Sequence, residues 1–223
     1  MNNNQTTINT INSIGKEIIE IWNEYKERKF CEYNPILPAT IKTNGLLFVG
    51  LNPSIRKNCS PNEYDGNLDS YGFPPATDGY FGKFWRIAER TGFNENWSHF
   101  DLLFFRGFQT YVKEVMKDKI TNGDIFIAKQ LELSRKLLEQ SQPQLIVICN
   151  KLAVEFTGKN RKVIKGITYG EWLDLKPEII NNHHTIKGIP IIFSKQPNRF
   201  FSNIEMEELI TQIIDLKKIY NID

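Results

Sequence analysis

The chain has 223 residues, 40% hydrophobic and 12% aromatic, which is enough apolar material for one large domain with a substantial core. Its formal net charge of +2 at pH 7 is too even to announce a polyanionic partner by itself, so any nucleic-acid contact has to come from a local basic groove. Cys31, Cys59 and Cys149 form neither a CxxC pair nor a four-ligand set, which argues against a structural zinc or an iron–sulfur cluster and for a reducing compartment.

The N-terminal stretch MNNNQTTINTIN lacks the basic and apolar regions of a secretory signal. No apolar run approaches the roughly 20 residues that cross a bilayer. A soluble, cytoplasmic protein with no membrane partner is expected.

Residues 1–10 read as a frayed, Asn-rich leader ahead of a single domain over 11–223. From Ile11 onward, Ile14, Ile18, Ile19, Trp22 and Tyr25 recur at three- and four-residue steps and predict an amphipathic helix to about Lys29. GLLFVG (45–50) is the first of four apolar runs that read as strands. A long segment rich in Pro, Gly, Asn and Asp follows from Ser54 to Gly82; a loop of that length is usually functional or disordered, and its position after the first strand favours function. GKFWRIAERTG (82–92) predicts a helix stopped at Gly92. The second strand is expected at FDLLFF (100–105). The next helix is expected to open on an Asp124 cap and to end before Pro143. QLIVIC (144–149) and IPIIFS (189–194) complete the strands, and a last helix over about 204–219 carries Ile204, Leu209, Ile213, Ile214 and Leu216.

The four strands are apolar almost without interruption, as strands covered on both faces are. With helices between them, they predict an α/β fold: a three-layer α/β/α sandwich around a central, mostly parallel four-stranded sheet.

Three short stretches carry candidate chemistry. Asn52 stands between a strand and a proline, where its amide can donate and accept hydrogen bonds at once; the same residues also suit an Asx-type turn cap. Tyr80, Phe81, Phe84 and Trp85 gather where the long loop enters a helix. Such a face can stack on a flat ring, although at least one of Phe84 and Trp85, which begin the helix, belongs to the core, leaving Tyr80 and Phe81 to face a ligand. SKQPNRFFSN (194–203) is a polar turn with Arg199 and Phe200 at its tip, suited to gripping phosphate and wedging between bases, or simply connecting strand to helix. His183 and His184 are adjacent and cannot both face one metal from a regular strand, and GKNRKVIKG (158–166) is a basic run that could touch phosphates. There is no GxxxxGK[ST] loop and no GxGxxG, so no nucleotide cofactor is signalled, and no metal or other cofactor is expected.

In order, LLFVGLNPS, YFGKFWRIAERTGF, QPQLIVICNKLAVEF and IPIIFSKQPNRFF resemble the motifs of the uracil-DNA glycosylase superfamily over roughly residues 40–215. The first motif has the Gly-x-Asn-Pro form of the mismatch-specific and single-strand-selective branches. The resemblance implies a monomeric, metal-independent enzyme of base-excision repair that flips a damaged base out of single-stranded or mismatched DNA. Asn52 would hold the attacking water. Gly50 and the backbone around Leu51 would contact the base, Phe84 or alternatively Phe81 would stack on it, and Tyr80 would face it. Ser54, Gln196, Pro197, Asn198 and Arg199 would grip the DNA backbone, with Phe200 as the wedge.

This chain departs from the family pattern in three places. Asn52 replaces the aspartate of the most active branch, and Gln196 stands where that branch has a His donating to the uracil anion. Where the family often presents an Asn that reads the base edge, FDLLFFRG offers Phe104, Phe105 and Arg106, which makes Arg106 the candidate there. Two rival readings follow: a glycosylase-fold module that binds DNA or a nucleobase with weak or no chemistry, and a hydrolase of free nucleosides.

Overall fold

Three of the predicted apolar runs form strands where expected, and they set the middle of the molecule. The computed structural model describes residues 7–54, 65–72, 75–157, 163–164, 167–168, 178–197 and 200–222. Its elements are β1 (Thr7–Asn9), α1 (Thr10–Tyr25), β2 (Ile36–Pro38), β3 (Thr40–Lys42), β4 (Leu46–Gly50), β5 (Asp69–Tyr71), α2 (Gly82–Arg90), β6 (Trp97–Asp101), α3 (Gln109–Lys117) and α4 (Gly123–Ser141). They continue as β7 (Leu145–Cys149), α5 (Lys151–Phe156), β8 (Val163–Ile164), β9 (Ile167–Thr168), β10 (Glu178–Ile180), β11 (His183–Ile186), β12 (Ile189–Ser194) and α6 (Asn203–Tyr220).

The central sheet has six strands rather than four, in the order β10-β11-β12-β7-β4-β6. β12, β7 and β4 correspond to three of the apolar runs and run parallel with β6, while β11 and β10 add antiparallel at one edge. Neither extra strand carries an apolar run: Glu178–Ile180 is exposed throughout, and His183–Ile186 opens on two histidines. Their turns are nonetheless legible. Asn181-Asn182 and Lys187-Gly188 all have positive φ and join the strands as two-residue hairpin loops, where a left-handed backbone at both positions matches the sheet's twist.

β6 lies at Trp97–Asp101, not at 100–105. Its core-facing positions include Ser98 and His99, both buried, so the hydrophobic run misplaced the strand by several residues. Two smaller differences concern element starts. Residues 7–9 pair with β3 instead of fraying, and Asn9 caps α1 by accepting from the Asn12 N–H. α4 starts one residue before Asp124, after a left-handed Asn122 with no side-chain cap, and Asp124 instead pairs with Lys119.

Successive residues of each central strand face opposite layers. Leu47, Val49, Ile146 and Ile148 bury against Ile14, Ile18 and Trp22 of α1 and Phe126, Ile127 and Leu131 of α4. Leu46, Phe48, Trp97 and Val147 bury against Phe84 and Ile87 of α2 and Leu209 and Ile213 of α6. This is a three-layer α/β/α arrangement, and both faces of the parallel strands are dry. No helix among the described residues is long and apolar enough to cross a membrane.

Candidate functional site

The chain leaves β4 through Gly50-Leu51-Asn52-Pro53 and continues beside the segment that follows β6. Leu102 N–H donates to the Gly50 carbonyl (3.1 Å), Leu103 N–H to Leu51 (2.9 Å) and Gly107 N–H to Pro53 (3.0 Å). The parallel pairing therefore extends past both strands as two loops stitched side by side. β4 lies between β6 and β7, so these loops leave the carboxyl end of the sheet where strand order reverses, the usual ligand position in open α/β folds.

Asn52 is half-buried on this edge. Its Nδ2 donates to the Gly107 carbonyl at 2.8 Å and to the Pro53 carbonyl at 3.2 Å. Two carbonyl acceptors fix which end of the amide is nitrogen. Oδ1 is left with no partner among the described residues, an oriented acceptor on a stiff support.

Beneath this loop sits a polar pair in an otherwise apolar layer. Register places Gly50 opposite Asp101 and Phe48 opposite His99, and the two-residue strand period turns His99 and Asp101 to the same face. The His99 side chain is 2% exposed, and its ring lies 5.2 Å from Phe81, 5.3 Å from Phe84 and 6.3 Å from Tyr80. The Tyr71 hydroxyl donates to the His99 carbonyl at 3.0 Å and lies 3.3 Å from Nδ1. With its own proton committed, that hydroxyl can only accept from the ring, which puts the imidazole proton on Nδ1. Nε2 is then a bare acceptor, buried and without a hydrogen-bond partner, 4.0 Å from Asp101 Oδ1. Burial holds His99 down to about 3, so the ring is neutral.

The Asp101 side chain is 12% exposed and receives no hydrogen bond from a described residue. Burial pushes it up to about 7. Gly50 makes room for it: a Cβ there would collide with the Asp101 carboxyl and stand 3.1 Å from His99 Nε2.

Aromatic rings close the α2 side. Asp78 Oδ1 accepts from the N–H groups of Tyr80 and Phe81, at 2.8 Å each, and so fixes the turn that presents both rings. Phe81 is half-buried and lies stacked toward Tyr71 at 6.1 Å. Gln196, in the loop after β12, donates from Nε2 to the Tyr80 hydroxyl at 2.5 Å. Burial first, and the nearby Asp101 carboxyl second, raise the Tyr80 hydroxyl well above its ordinary range, so it stays protonated.

The structure gathers Gly50, Tyr80, Phe81 and Gln196 about the His99–Asp101 pair, with Asn52 two residues beyond Gly50 on the same loop, and treats the other candidates differently. Phe84 is fully buried, edge-on to Phe48 at 4.9 Å and parallel to Trp97 at 6.3 Å, so it has no free face and supports Phe81 from below. Arg106 spends its charge on Asp69 of β5 rather than on the site. Leu51 is buried, with its carbonyl already bonded; Pro197 is buried, and Ser54 and Phe200 are exposed, Phe200 by 76%. Asn198 and Arg199 lie outside the described residues, as does most of the basic run at 158–166.

Sequence reasoning missed Asp101 altogether and left His99 without a partner. The signal was there: in WSHFD, two polar residues at strand spacing stand next to a glycine-ended apolar strand.

No protein-family model matches the chain, and no curated protein matches it. Function therefore has to come from the chemistry of the site.

Proposed function

We propose that the protein is a monomeric DNA glycosylase that hydrolyses the N-glycosidic bond of uracil or a related damaged base in single-stranded or mismatched DNA. The observation that carries this is the Asn52 amide, tied through Nδ2 to the Gly107 and Pro53 carbonyls and presenting Oδ1 at the carboxyl end of β4. An acceptor held in this way can fix one water by its proton and leave the water's lone pair aimed at a sugar carbon. Cleavage of the base–sugar bond builds positive charge on the sugar and negative charge on the base, so an oriented water and a set of polar groups around the base suffice as first requirements.

Phe81 and Tyr80 supply ring faces against which a flipped base can stack. The exposed ring of Phe200 suits the space vacated in the duplex, where its burial would offset part of the few kcal/mol that unstacking costs. Asn52 is no Brønsted base at neutral pH, and a positioned base typically contributes about 10²–10⁴ in rate, so turnover is slow.

The test is single-turnover incubation, with protein in excess, of labelled oligonucleotides carrying U, U·G, T·G, hypoxanthine or xanthine, followed by alkaline cleavage. Strand breaks that vanish in Asn52→Ala support the reading. Salt-dependent DNA binding with no breaks in any substrate would replace it with the binding module, and release from free nucleosides alone would replace it with a nucleosidase.

A further inference from the structure

We propose that Asp101, acting as a neutral carboxylic acid, reads the edge of the flipped base and stabilises it as the leaving group, so that substrates are bases with a ring N–H beside a carbonyl oxygen. This rests on the glycosylase reading. Two unsatisfied groups point to a ligand here: the Asp101 carboxyl, which no described residue hydrogen-bonds, and the buried, unpartnered His99 Nε2 facing it at 4.0 Å. Most buried polar groups have a hydrogen-bond partner, so an exception asks what fills the place of one.

What surrounds the carboxyl favours its protonated form. His99 stands beside it on β6, Tyr71 faces it from β5, Tyr80 from the turn before α2 and Cys149 from β7, while Gly50 of β4 brings only backbone. His99 is neutral, and burial holds the proton on each of the two phenols and on the thiol. The cation nearest in sequence, Arg106, is paired with Asp69. The Nε2 lone pair further disfavours a negative charge.

A carboxylic acid offers one donor and one acceptor on neighbouring oxygens. Its O–H fits a base carbonyl while its C=O accepts the adjacent ring N–H, the edge shared by uracil, hypoxanthine and xanthine. An ionised carboxyl would turn a lone pair against that carbonyl instead. As the C–N bond breaks, its electron pair passes to the base and charge collects on the carbonyl oxygen, where the Asp101 O–H bond strengthens. The water held by Asn52 adds its oxygen to the sugar carbon and loses a proton to solvent; the departed base takes a proton from solvent, and Asp101 keeps its own. This assigns to Asp101 the donor role for which Gln196, bonded to Tyr80, is not placed.

The experiment measures single-turnover base release from uracil and hypoxanthine oligonucleotides against pH for the wild type and for Asp101→Asn. Binding of an uncleavable 2′-fluoro-deoxyuridine oligonucleotide is followed in parallel. The wild-type rate is expected to hold on the acid side and to fall by about tenfold per pH unit once Asp101 ionises, above about 7. Asp101→Asn is expected to release uracil more slowly on the acid side, because an amide N–H donates more weakly than a carboxyl O–H, and its rate no longer falls as the pH rises through about 7. A wild-type rate without the decline, or one that Asp101→Asn shares, overturns the proposal and leaves the glycosylase reading standing. If the wild type releases no base, the glycosylase reading fails. The role in base reading then survives only if 2′-fluoro-deoxyuridine binding weakens with rising pH in the wild type and not in the variant; otherwise it too is overturned.

Discussion

Gly50 and Phe81 show how single positions divide between fold and site. Gly50 has no unusual backbone angle to justify it; what excludes a side chain is the Asp101 carboxyl folded across its Cα. Gly50→Ala is therefore expected to displace Asp101, costing about 1–3 kcal/mol as overpacking does, and to lower base release further than stability alone explains. Urea unfolding beside single-turnover rates would separate the two effects. Phe81 and Phe84 make the complementary pair. Phe84→Ala empties a fully buried site and is expected to cost about 3–5 kcal/mol of stability. Phe81→Ala, at a half-buried rim, should leave the fold nearly intact and weaken DNA binding by about 1–3 kcal/mol, the worth of one base stack. Binding and unfolding data that rank the two variants alike would contradict this division.

At the scale of elements, the apolar runs told more than the polar ones. IPIIFS became β12 with its sequence limits unchanged, and β4 and β7 each fell within a residue of their runs. β6 did not, because two forces that a hydrophobic count cannot see decide its position. His99 and Ser98 are buried through hydrogen bonds, Ser98 accepting from the Lys42 N–H at 2.8 Å. Leu102–Phe105, though buried, continues as a stitched loop and not as strand.

The site suffered from the same blindness. Asn52 was legible from the turn chemistry of its own neighbours, whereas what the Asp101–His99 pair faces is set by the register of β6 with β4. Arg106 looked like a ligand contact because its ion-pair partner, Asp69, lies 37 positions earlier. That pair fastens β5 and the small β2–β5 sheet to the site's stitched loops. Arg106→Met is expected to speed amide hydrogen exchange at Asp69–Tyr71 and to free the Tyr71 hydroxyl from His99, while exchange in β7 stays unchanged. Equal protection of β5 in both proteins would show that the ion pair is ornamental, as many surface pairs are.

For the molecule as a whole, burying His99 and Asp101 side by side ties stability to pH in two opposed ways. His99 sits at about 3 in the fold against an ordinary 6.5, so between those values the unfolded chain binds a proton that the native state refuses, and stability rises with pH. Asp101 sits at about 7 against an ordinary 3.8, so between those values the native state holds a proton that the unfolded chain has released, and stability falls with pH. Each slope is about 1.4 kcal/mol per pH unit, and the two overlap from about pH 4 to about pH 6.5, where they cancel. The wild type should therefore show little net dependence from this pair across that window.

Removing one member exposes the other. Asp101→Asn should gain about 3 kcal/mol of stability relative to the wild type between the acid and the near-neutral end. His99→Gln should lose a similar amount over the same range. Urea midpoints at the two ends, for all three proteins, test this. Contributions from exposed carboxylates such as Glu205, held low by Lys195 and Ser202, are common to the three and drop out of the comparison. Parallel curves would mean that the pair is solvated in the native state, and the acid form of Asp101 would then lose its physical basis.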